Sequence, residues 1–368
     1  MKFVLSTIAG VESIAKKEIE KQGGIIEETI DRLITFSGGI ELIPRINLWS
    51  RVGNKMYVLL AEKDNVRDFD SLFDLIKNIS WKSYFKKDFP IVVKSNSTRS
   101  ELFAERTIQS LAKKAIIKSR VGDNGIVDED SSLEKMEILV LIIDNKARIL
   151  LNTSGDALHM RGYREKSGEA PIKESLSAAL VLLSGWKFKE PFYDVFCGSG
   201  TIAIEALMIA KNIAPGLKRK FAFEKLGLVS SEITENERSL ARKKEFSGEY
   251  TIKASDINPE MVSLAQNNAR IAGLGGEINF EVKDFREYLN KSISGTLVSN
   301  PPYGERLKDE NLKSVYNDID KLFRLNSELN GGIISNYMEF DNLIKKDTYK
   351  KRKLYNGGEM CYFWKKNI

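Results

Sequence analysis

Two short stretches of the sequence combine residue types that suit recognition of a polar ligand and of an amine. Residues 194–201, DVFCGSGT, place Asp194 at the end of an apolar, β-prone run and then continue into a strong helix former. Gly198 and Gly200 permit a tight turn with close ligand approach, and a helix start presents free N–H groups. Residues 299–303, SNPPY, follow a second apolar run. Together they indicate a ligand-binding turn near a group that accepts N–H donors.

The glycine-rich turn differs from two common nucleotide-binding loops. It lacks the third glycine of the dinucleotide fingerprint, and it lacks the Gly-Lys-Ser/Thr ending of a P-loop. Asp194 also places an anion where a phosphate-binding loop would avoid one. A ligand that carries an amino group therefore suits this turn better than a phosphate does.

In this order the two motifs resemble a known enzyme family. DVFCGSGT resembles motif I of class I S-adenosylmethionine-dependent methyltransferases. NPPY resembles motif IV of the branch that methylates exocyclic nitrogens of adenine or guanine. The resemblance implies S-adenosylmethionine as the cofactor. It implies these cofactor-binding residues: Asp194, Phe196, Cys197, Gly198, Ser199, Gly200, Thr201, Asp256, Ile257, Asp284, Phe285 and Asn300.

The second motif carries the chemistry, with Asn300, Pro301, Pro302 and Tyr303 as the predicted catalytic residues. An aryl amine is a poor nucleophile because its lone pair is delocalised into the base. The Asn300 side chain and the Pro301 carbonyl offer two acceptors for its N–H bonds, and Tyr303 offers a ring to stack on the base. The base must leave its stack to react, and positioning can contribute roughly 7–11 kcal/mol. Covalent attack by Cys197 is disfavoured, since it would need an activated thiolate.

The elements that position these motifs alternate between apolar strands and helices. The strand predicted over 250–256 ends at Asp256, and the strand predicted over 278–282 ends shortly before Asp284. The family places the cofactor ribose against Asp256. A hairpin closes the chain, over 351–354 and 360–364. The fold class predicted is α/β, a Rossmann-like class I methyltransferase with a seven-stranded mixed sheet.

The N-terminal half predicts two smaller α+β domains. Residues 1–62 follow the order β-α-β-β-α-β of a ferredoxin-like unit. Residues 63–156 follow helix-strand-helix-strand-strand, which resembles the THUMP domain of RNA-modifying enzymes. The methyltransferase domain then takes residues 157–368.

The connector into the last domain resembles the same junction in bacterial large-subunit ribosomal RNA guanine-N2 methyltransferases. Arg161, Tyr163 and Arg164 have the composition that stacks on bases and grips phosphates, and they are the predicted RNA-binding residues. Seven basic residues of the THUMP-like region suit either RNA phosphates or a solvated face: Lys94, Arg99, Arg106, Lys113, Lys114, Lys118 and Arg120.

Composition agrees with an RNA partner and argues against several other classes. The 368-residue chain has a net charge of +6, which favours an acidic partner. Its two cysteines, Cys197 and Cys361, cannot build a disulfide framework or a zinc site. No signal peptide or membrane-spanning run is evident, so we expect a cytoplasmic protein. We also expect no bound metal. The sequence does not indicate an oligomeric state.

The function predicted is methyl transfer from S-adenosylmethionine to the exocyclic N2 of a guanine in RNA, with 23S ribosomal RNA preferred. NPPY alone does not separate guanine N2 from adenine N6. The resemblance implies guanine, since DNA adenine methyltransferases often carry an aspartate where this chain has Asn300, and since the leader resembles an RNA-binding domain. A tRNA guanine-N2 methyltransferase remains an alternative. So does a non-catalytic RNA-binding ribosome assembly factor, although the intact Asp194, Asp256, Asp284 and Asn300 disfavour it.

Overall fold

A computed structural model describes residues 1–84, 88–122, 129–164, 172–303, 309–345 and 347–367. Pro171, which comes just before Ile172, and Gly304, which directly follows the NPPY motif, lie outside these ranges. The chain divides into two compact units. The first comprises Met1–Ser6, Lys16–Leu158 and Lys220–Leu240, and the second comprises Thr7–Ala15, His159–Arg219 and Ala241–Ile368.

The helices and strands follow the predicted order closely. The first half contains β1 (Lys2–Thr7), α1 (Glu12–Lys21), β2 (Ile25–Ile30), β3 (Leu33–Ser37), α2 (Leu42–Trp49), β4 (Gly53–Lys63), α3 (Phe69–Lys77), β5 (Ile91–Thr98), α4 (Glu105–Val121), β6 (Met136–Ile143) and β7 (Lys146–Asn152).

The second half contains α5 (Glu174–Ser184), β8 (Phe192–Asp194), α6 (Thr201–Ala210), α7 (Ala222–Lys225), α8 (Ser231–Lys243), β9 (Ile252–Asp256), α9 (Pro259–Ala272), β10 (Asn279–Val282), β11 (Gly295–Ser299), α10 (Asp309–Leu325), β12 (Leu329–Ser335), α11 (Phe340–Leu343), β13 (Tyr349–Asn356) and β14 (Glu359–Lys366).

The first unit is built on one seven-stranded sheet in the order β2-β3-β1-β4-β7-β6-β5. The ferredoxin-like strands β1–β4 and the THUMP-like strands β5–β7 are therefore joined side by side. The junction is an antiparallel pairing in which Tyr57 to Lys63 lie opposite Asn152 to Ala147. The sequence pattern predicted the strands but not this shared sheet, because their pairing is non-local.

The second unit is built on a seven-stranded mixed sheet in the order β10-β9-β8-β11-β12-β14-β13. Strands β8 to β12 pair in parallel, and the β13–β14 hairpin adds β14 antiparallel to β12. This confirms the predicted sheet. In parallel neighbours the carboxyl ends share one edge, so Asp194, Asp256 and Ser299 end their strands on the same side.

Helix α6 lies at the centre of this unit, since all ten of its residues are buried. A helix that is apolar all round must be covered on every side. It packs on α5, β8 and β9. Its first residue, Thr201, directly follows the glycine-rich turn, so the turn is anchored to the most buried helix of the sheet.

Candidate active site

The glycine-rich turn is held by close packing as well as by hydrogen bonds. Gly200 has φ +81°, and a Cβ atom added there would lie 2.8 Å from the Cβ of Ala265 on α9. Asn268, one turn further along α9, is buried and donates from Nδ2 to the Ser199 carbonyl at 3.0 Å. Sequence reasoning missed Asn268, although its place on the inward face of α9 was a signal.

Ser299 joins the two motifs directly. The Val195 N–H donates to Ser299 Oγ at 2.8 Å, and Ser299 Oγ donates to Asp194 Oδ1 at 2.7 Å. Among the described residues, the other oxygen of the buried Asp194 carboxyl has no hydrogen-bond partner. Burial raises the pKa of Asp194 to about 7. Sequence reasoning treated Ser299 only as a strand residue, and the link to Asp194 depends on the β8–β11 pairing.

The next two strand ends supply two more carboxylates. Asp256 accepts from the Gly198 N–H through Oδ2 and from the Asn258 N–H through Oδ1, both at 2.9 Å. Asp284 accepts from the Arg286 N–H at 2.9 Å. Each carboxylate oxygen retains a free lone pair beyond these bonds. Both side chains can therefore accept further donors from a ligand.

These elements surround one cavity of about 600 Å³. A cavity of this size is in the usual range for a small-molecule site. Its lining includes most of the predicted residues: Phe196, Cys197, Gly198, Ser199, Thr201, Asp256, Ile257, Asp284, Phe285, Asn300 and Pro302. Four predicted residues are outside this lining as far as the structure describes it: Asp194, Gly200, Pro301 and Tyr303.

Asn300 brings an unused acceptor to this cavity. Its Oδ1 is buried and has no hydrogen-bond partner within the described part of the chain. Two residues later, the Pro302 carbonyl accepts from the Tyr316 hydroxyl at 3.2 Å, and Tyr316 is also bonded to Ser335. Tyr316 on α10 thus fixes the loop that carries Asn300. The role of Tyr316 was not predicted, because the NPPY motif already contained all of the groups that the chemistry required, and α10 lies after it in the sequence.

Tyr303 is not presented as an open stacking surface. Its side chain is only 6% exposed, and burial raises the pKa of its hydroxyl to about 12. Asn356 and Cys361 of the C-terminal hairpin lie beside that hydroxyl. This burial does not fit the predicted stacking on a target base.

Cys197 lies at the cavity wall as a protonated thiol. Burial raises its pKa, and the nearby Asp194 and Asp256 carboxyls raise it further. A thiol in this environment is a poor nucleophile. The observation agrees with the prediction that Cys197 does not attack a base.

The connector residues Arg161 and Tyr163 face the protein interior. Both are 3% exposed, and both approach the fully buried Glu205 of α6. Arg161 Nε lies 3.5 Å and the Tyr163 hydroxyl lies 3.1 Å from Glu205 Oε1. This corrects the expectation that Arg161 and Tyr163 contact RNA, since buried side chains bound to an internal carboxylate are not available to a phosphate.

Arg164 ends the described connector beside the cavity. Its Nη2 donates to Thr201 Oγ1 at 2.6 Å and to the Ile172 carbonyl at 2.9 Å. Its Nε lies 3.7 Å from Glu174, the first residue of α5. Arg164 is therefore committed to the start of α5 and α6 and is not a free RNA-binding cation.

Six of the seven basic residues of the THUMP-like region divide into two groups, and the seventh, Lys118, is half-buried. Four are in ion pairs: Lys94 with Glu137, Arg99 with Asp144, Lys113 with Glu129, and Arg120 with Asp88. Arg106 and Lys114 on α4 are exposed. Neither has a charged or hydrogen-bonded partner within the ranges that the structure covers, which leaves both available to an acidic partner.

Comparison with known proteins identifies the family. Residues 161–364 match the RMKL-like methyltransferase domain, which is more than half of the chain. The chain belongs to the RMKL-like methyltransferase family. Residues 2–57 match the RlmL ferredoxin-like domain and residues 66–152 match the THUMP domain. Both resemblances predicted for the N-terminal half are confirmed.

The similarity to several known proteins covers almost the whole length of this methyltransferase. It is 36% identical over 357 residues to "Putative RNA methyltransferase YpsC" of Bacillus subtilis (strain 168), covering 95% of this chain and 91% of that protein. It is similar to SMU.472, a "putative methyltransferase complexed with SAH", with TM-score 0.90, 33% identity and coverage of 99% and 97%. A "predicted N6-adenine-specific DNA methylase" from Listeria monocytogenes str. 4b F2365 matches with TM-score 0.90, 31% identity and coverage of 99% and 95%.

The cavity of this RMKL-like methyltransferase fits a nucleoside-bearing sulfonium cofactor. The carboxylate of Asp256 suits a pair of ribose hydroxyls. Ile257, 69% exposed, and the Phe285 ring, 4.7 Å from that of Phe196, offer apolar faces to a purine.

Within the described ranges, no group of three or more acidic, histidine or cysteine side chains could hold a metal ion. No helix described there combines the length and apolarity that crossing a bilayer requires.

Proposed function

We propose that this methyltransferase transfers a methyl group from S-adenosylmethionine to the exocyclic N2 of a guanine in RNA, with 23S ribosomal RNA preferred over tRNA. The observation that carries the proposal is Asn300 Oδ1 at the cavity, a buried acceptor that has no partner among the residues the structure describes. A buried acceptor without a donor costs free energy, roughly 1–3 kcal/mol. An exocyclic amine supplies the missing N–H.

The cofactor is S-adenosylmethionine. The similar protein SMU.472 is described as complexed with SAH, the demethylated cofactor. When bound, S-adenosylmethionine supplies an electrophilic methyl group on its sulfonium. Asp256 would hold the ribose, and Ile257 and Phe285 would hold the adenine, since these groups line the cavity at adjoining strand ends.

The protein's own contribution to the reaction is positioning. Asn300 accepts an N–H of the target amine, and Tyr316 keeps the motif loop in place through the Pro302 carbonyl. The Pro301 carbonyl would be the second acceptor. No strong base is needed, because the amine loses its proton after the nitrogen has become cationic. Catalysis would then come mainly from orientation of the two reactants.

RNA as the substrate is supported by the N-terminal half. The THUMP domain match covers residues 66–152, and the YpsC relative is named as an RNA methyltransferase. Domain boundaries at 62/63 and 156/157 remain part of the proposal. Arg106 and Lys114 are the described cations of this region that are best placed to meet phosphates.

Adenine N6 is the second candidate. The Listeria relative is named as an N6-adenine-specific DNA methylase, and Asn300 Oδ1 could equally accept an N–H of adenine. Adenine and guanine amines differ in the neighbouring ring nitrogen, N1 being an acceptor in adenine and a donor in guanine. The THUMP match favours RNA over DNA but does not select the base.

One experiment separates these candidates. Ribosomal RNA, tRNA and DNA from a strain without the gene would be incubated with the purified protein and methyl-labelled S-adenosylmethionine, then digested to nucleosides for mass spectrometry. Label in N2-methylguanosine from 23S ribosomal RNA supports the proposal. Label confined to tRNA, or to N6-methyladenosine, would select the corresponding alternative. If none of the three nucleic acids became labelled, the proposal that this protein methylates nucleic acid would be overturned.

A further inference from the structure

The connector residue Arg164 is the starting point, because its bonds converge on the wall of the cofactor cavity. Nη2 donates to Thr201 Oγ1 at 2.6 Å and to the Ile172 carbonyl at 2.9 Å. Thr201 and Ile172 both line the cavity. The side chain of Arg164 is 14% exposed, so these bonds are largely shielded from water.

The bond to Thr201 fixes how its hydroxyl is used. A hydroxyl has one proton to donate, and its oxygen here is occupied as an acceptor from a guanidinium. The Thr201 proton is therefore directed away from Arg164, toward Ser199 Oγ at 3.3 Å or toward the cavity. When Ser199 is the donor of that pair, the Thr201 proton remains for an acceptor that the cavity holds.

The local charge favours an acceptor that is negative. Thr201 is the first residue of α6, and a helix start carries a partial positive charge with unpaired N–H groups. Arg164 adds a full positive charge that Glu174, at 3.7 Å, offsets only in part. Burial raises the pKa of Glu174, because desolvation disfavours its charged form.

We infer that Arg164 is a positioning residue for the carboxylate of the cofactor's methionyl group, and that it acts through the Thr201 hydroxyl. This rests on the proposed function, in which S-adenosylmethionine occupies the cavity. The positively charged end of the cavity receives the amino-acid carboxylate. Asp256 and Phe285, at the other strand ends, receive the nucleoside.

The test compares two ligands that differ in that carboxylate. S-adenosylhomocysteine carries the amino-acid group, whereas 5′-methylthioadenosine keeps the nucleoside and sulfur without it. Calorimetry on the full-length protein would give both dissociation constants for the wild type and for Arg164→Ala. We expect Arg164→Ala to weaken S-adenosylhomocysteine at least tenfold and 5′-methylthioadenosine less than twofold. An equal loss for both ligands, or a loss for neither, would overturn the inference.

Two further variants distinguish an effect of the Arg164 charge from a general effect on the connector. Arg164→Lys should recover part of the S-adenosylhomocysteine affinity, because an ammonium keeps the positive charge but not the fixed planar geometry of the guanidinium donors. Arg161→Lys is the matched control on the same connector, since its contact is with Glu205 in the middle of α6. It should leave the ratio of the two affinities at the wild-type value, and a changed ratio would contradict the assignment to Arg164.

The wild-type protein separates failure of this inference from failure of the proposed function. If the wild type binds neither ligand, the cofactor assignment itself is refuted. If it binds S-adenosylhomocysteine and Arg164→Ala binds it equally well, only the role of Arg164 is refuted.

Discussion

Asn300 presents the one side-chain acceptor on which the proposed chemistry depends. We predict that Asn300→Ala lowers the rate of methyl transfer about a hundredfold or more, because the amine loses its acceptor in the reactive geometry. RNA affinity should change less than threefold. Single-turnover transfer and filter binding on the same preparation would measure the two effects. Full activity in this variant would show that the acceptor is elsewhere.

Ser299 is the second residue whose removal should be informative. Ser299→Ala deletes the bridge from the Val195 N–H to Asp194 and leaves a buried carboxyl without its donor. We predict a loss of about 1–3 kcal/mol in the free energy of unfolding. Urea denaturation would measure it. A loss below about 0.3 kcal/mol would mean that water replaces the hydroxyl.

Asp194 gives the second unit a pH dependence with a defined sign. Its pKa is about 7 in the folded protein against an ordinary 3.8, so the folded state binds the proton more tightly than the unfolded state does. This contribution to stability is complete below about pH 4 and is lost as the pH rises toward 7. Asp194→Asn cannot titrate. Its stability relative to the wild type should rise between pH 4 and pH 7, and a constant difference would contradict the shift.

Single residues also show where sequence reasoning stops. The types and order of Asp194, Asp256 and Asn300 were sufficient to predict a shared sheet edge. The burial of Arg161 and Tyr163 was not predictable, because it depends on Glu205, more than forty residues later, being the fully buried acidic side chain of α6. An arginine beside a tyrosine has the same pattern on a surface and in a core.

Among the elements, the glycine-rich turn is the one most constrained by its neighbours. Gly200→Ala would combine a left-handed φ with a Cβ only 2.8 Å from Ala265. We predict that it lowers stability by about 2 kcal/mol or more and weakens S-adenosylhomocysteine at least tenfold, since α6 must move off α9.

Gly357 in the β13–β14 turn is a matched control for that prediction. It has φ +67°, and an added Cβ would meet nothing within 4 Å. Gly357→Ala should therefore cost only the backbone strain, about 1 kcal/mol, without affecting the cofactor. Thermal unfolding and calorimetry on both variants would show whether packing against α9 accounts for the difference. Equal effects would exclude that explanation.

Strands and helices were predictable from periodicity, and their neighbours were predictable only where a family pattern existed. The seven-stranded mixed sheet of the second unit, with its reversed last strand, followed from the resemblance and was confirmed. The two partners of β4 were not predictable, because a hydrophobic pattern indicates which residues are buried and not which strands lie on either side. Non-local pairing of this kind is decided by how the whole chain collapses.

For the whole molecule, we predict that RNA binding and cofactor binding can be weakened separately. Arg106→Gln with Lys114→Gln should lower RNA affinity several-fold and make it less dependent on salt, because about two phosphate contacts are lost. S-adenosylhomocysteine affinity should be unchanged. Titrations at several salt concentrations would measure both.

Lys17→Gln with Lys21→Gln removes the same charge from the exposed face of α1 and serves as the control. If this pair reduces RNA affinity as much as the α4 pair, the effect is that of net charge rather than of a binding surface on α4.

The shared sheet of the first unit limits how this protein can be divided. The RlmL ferredoxin-like match ends at residue 57 and the THUMP match begins at residue 66, so the interval between them lies mostly within β4. Because β4 is hydrogen-bonded to β7, cutting there would strip a row of backbone amides and carbonyls of their partners. A THUMP segment cut from this protein at residues 66–152 would therefore expose the unpaired edge of β7, which can pair with another chain. A segment that kept β4 would instead leave the remaining ferredoxin-like strands with an unpaired edge.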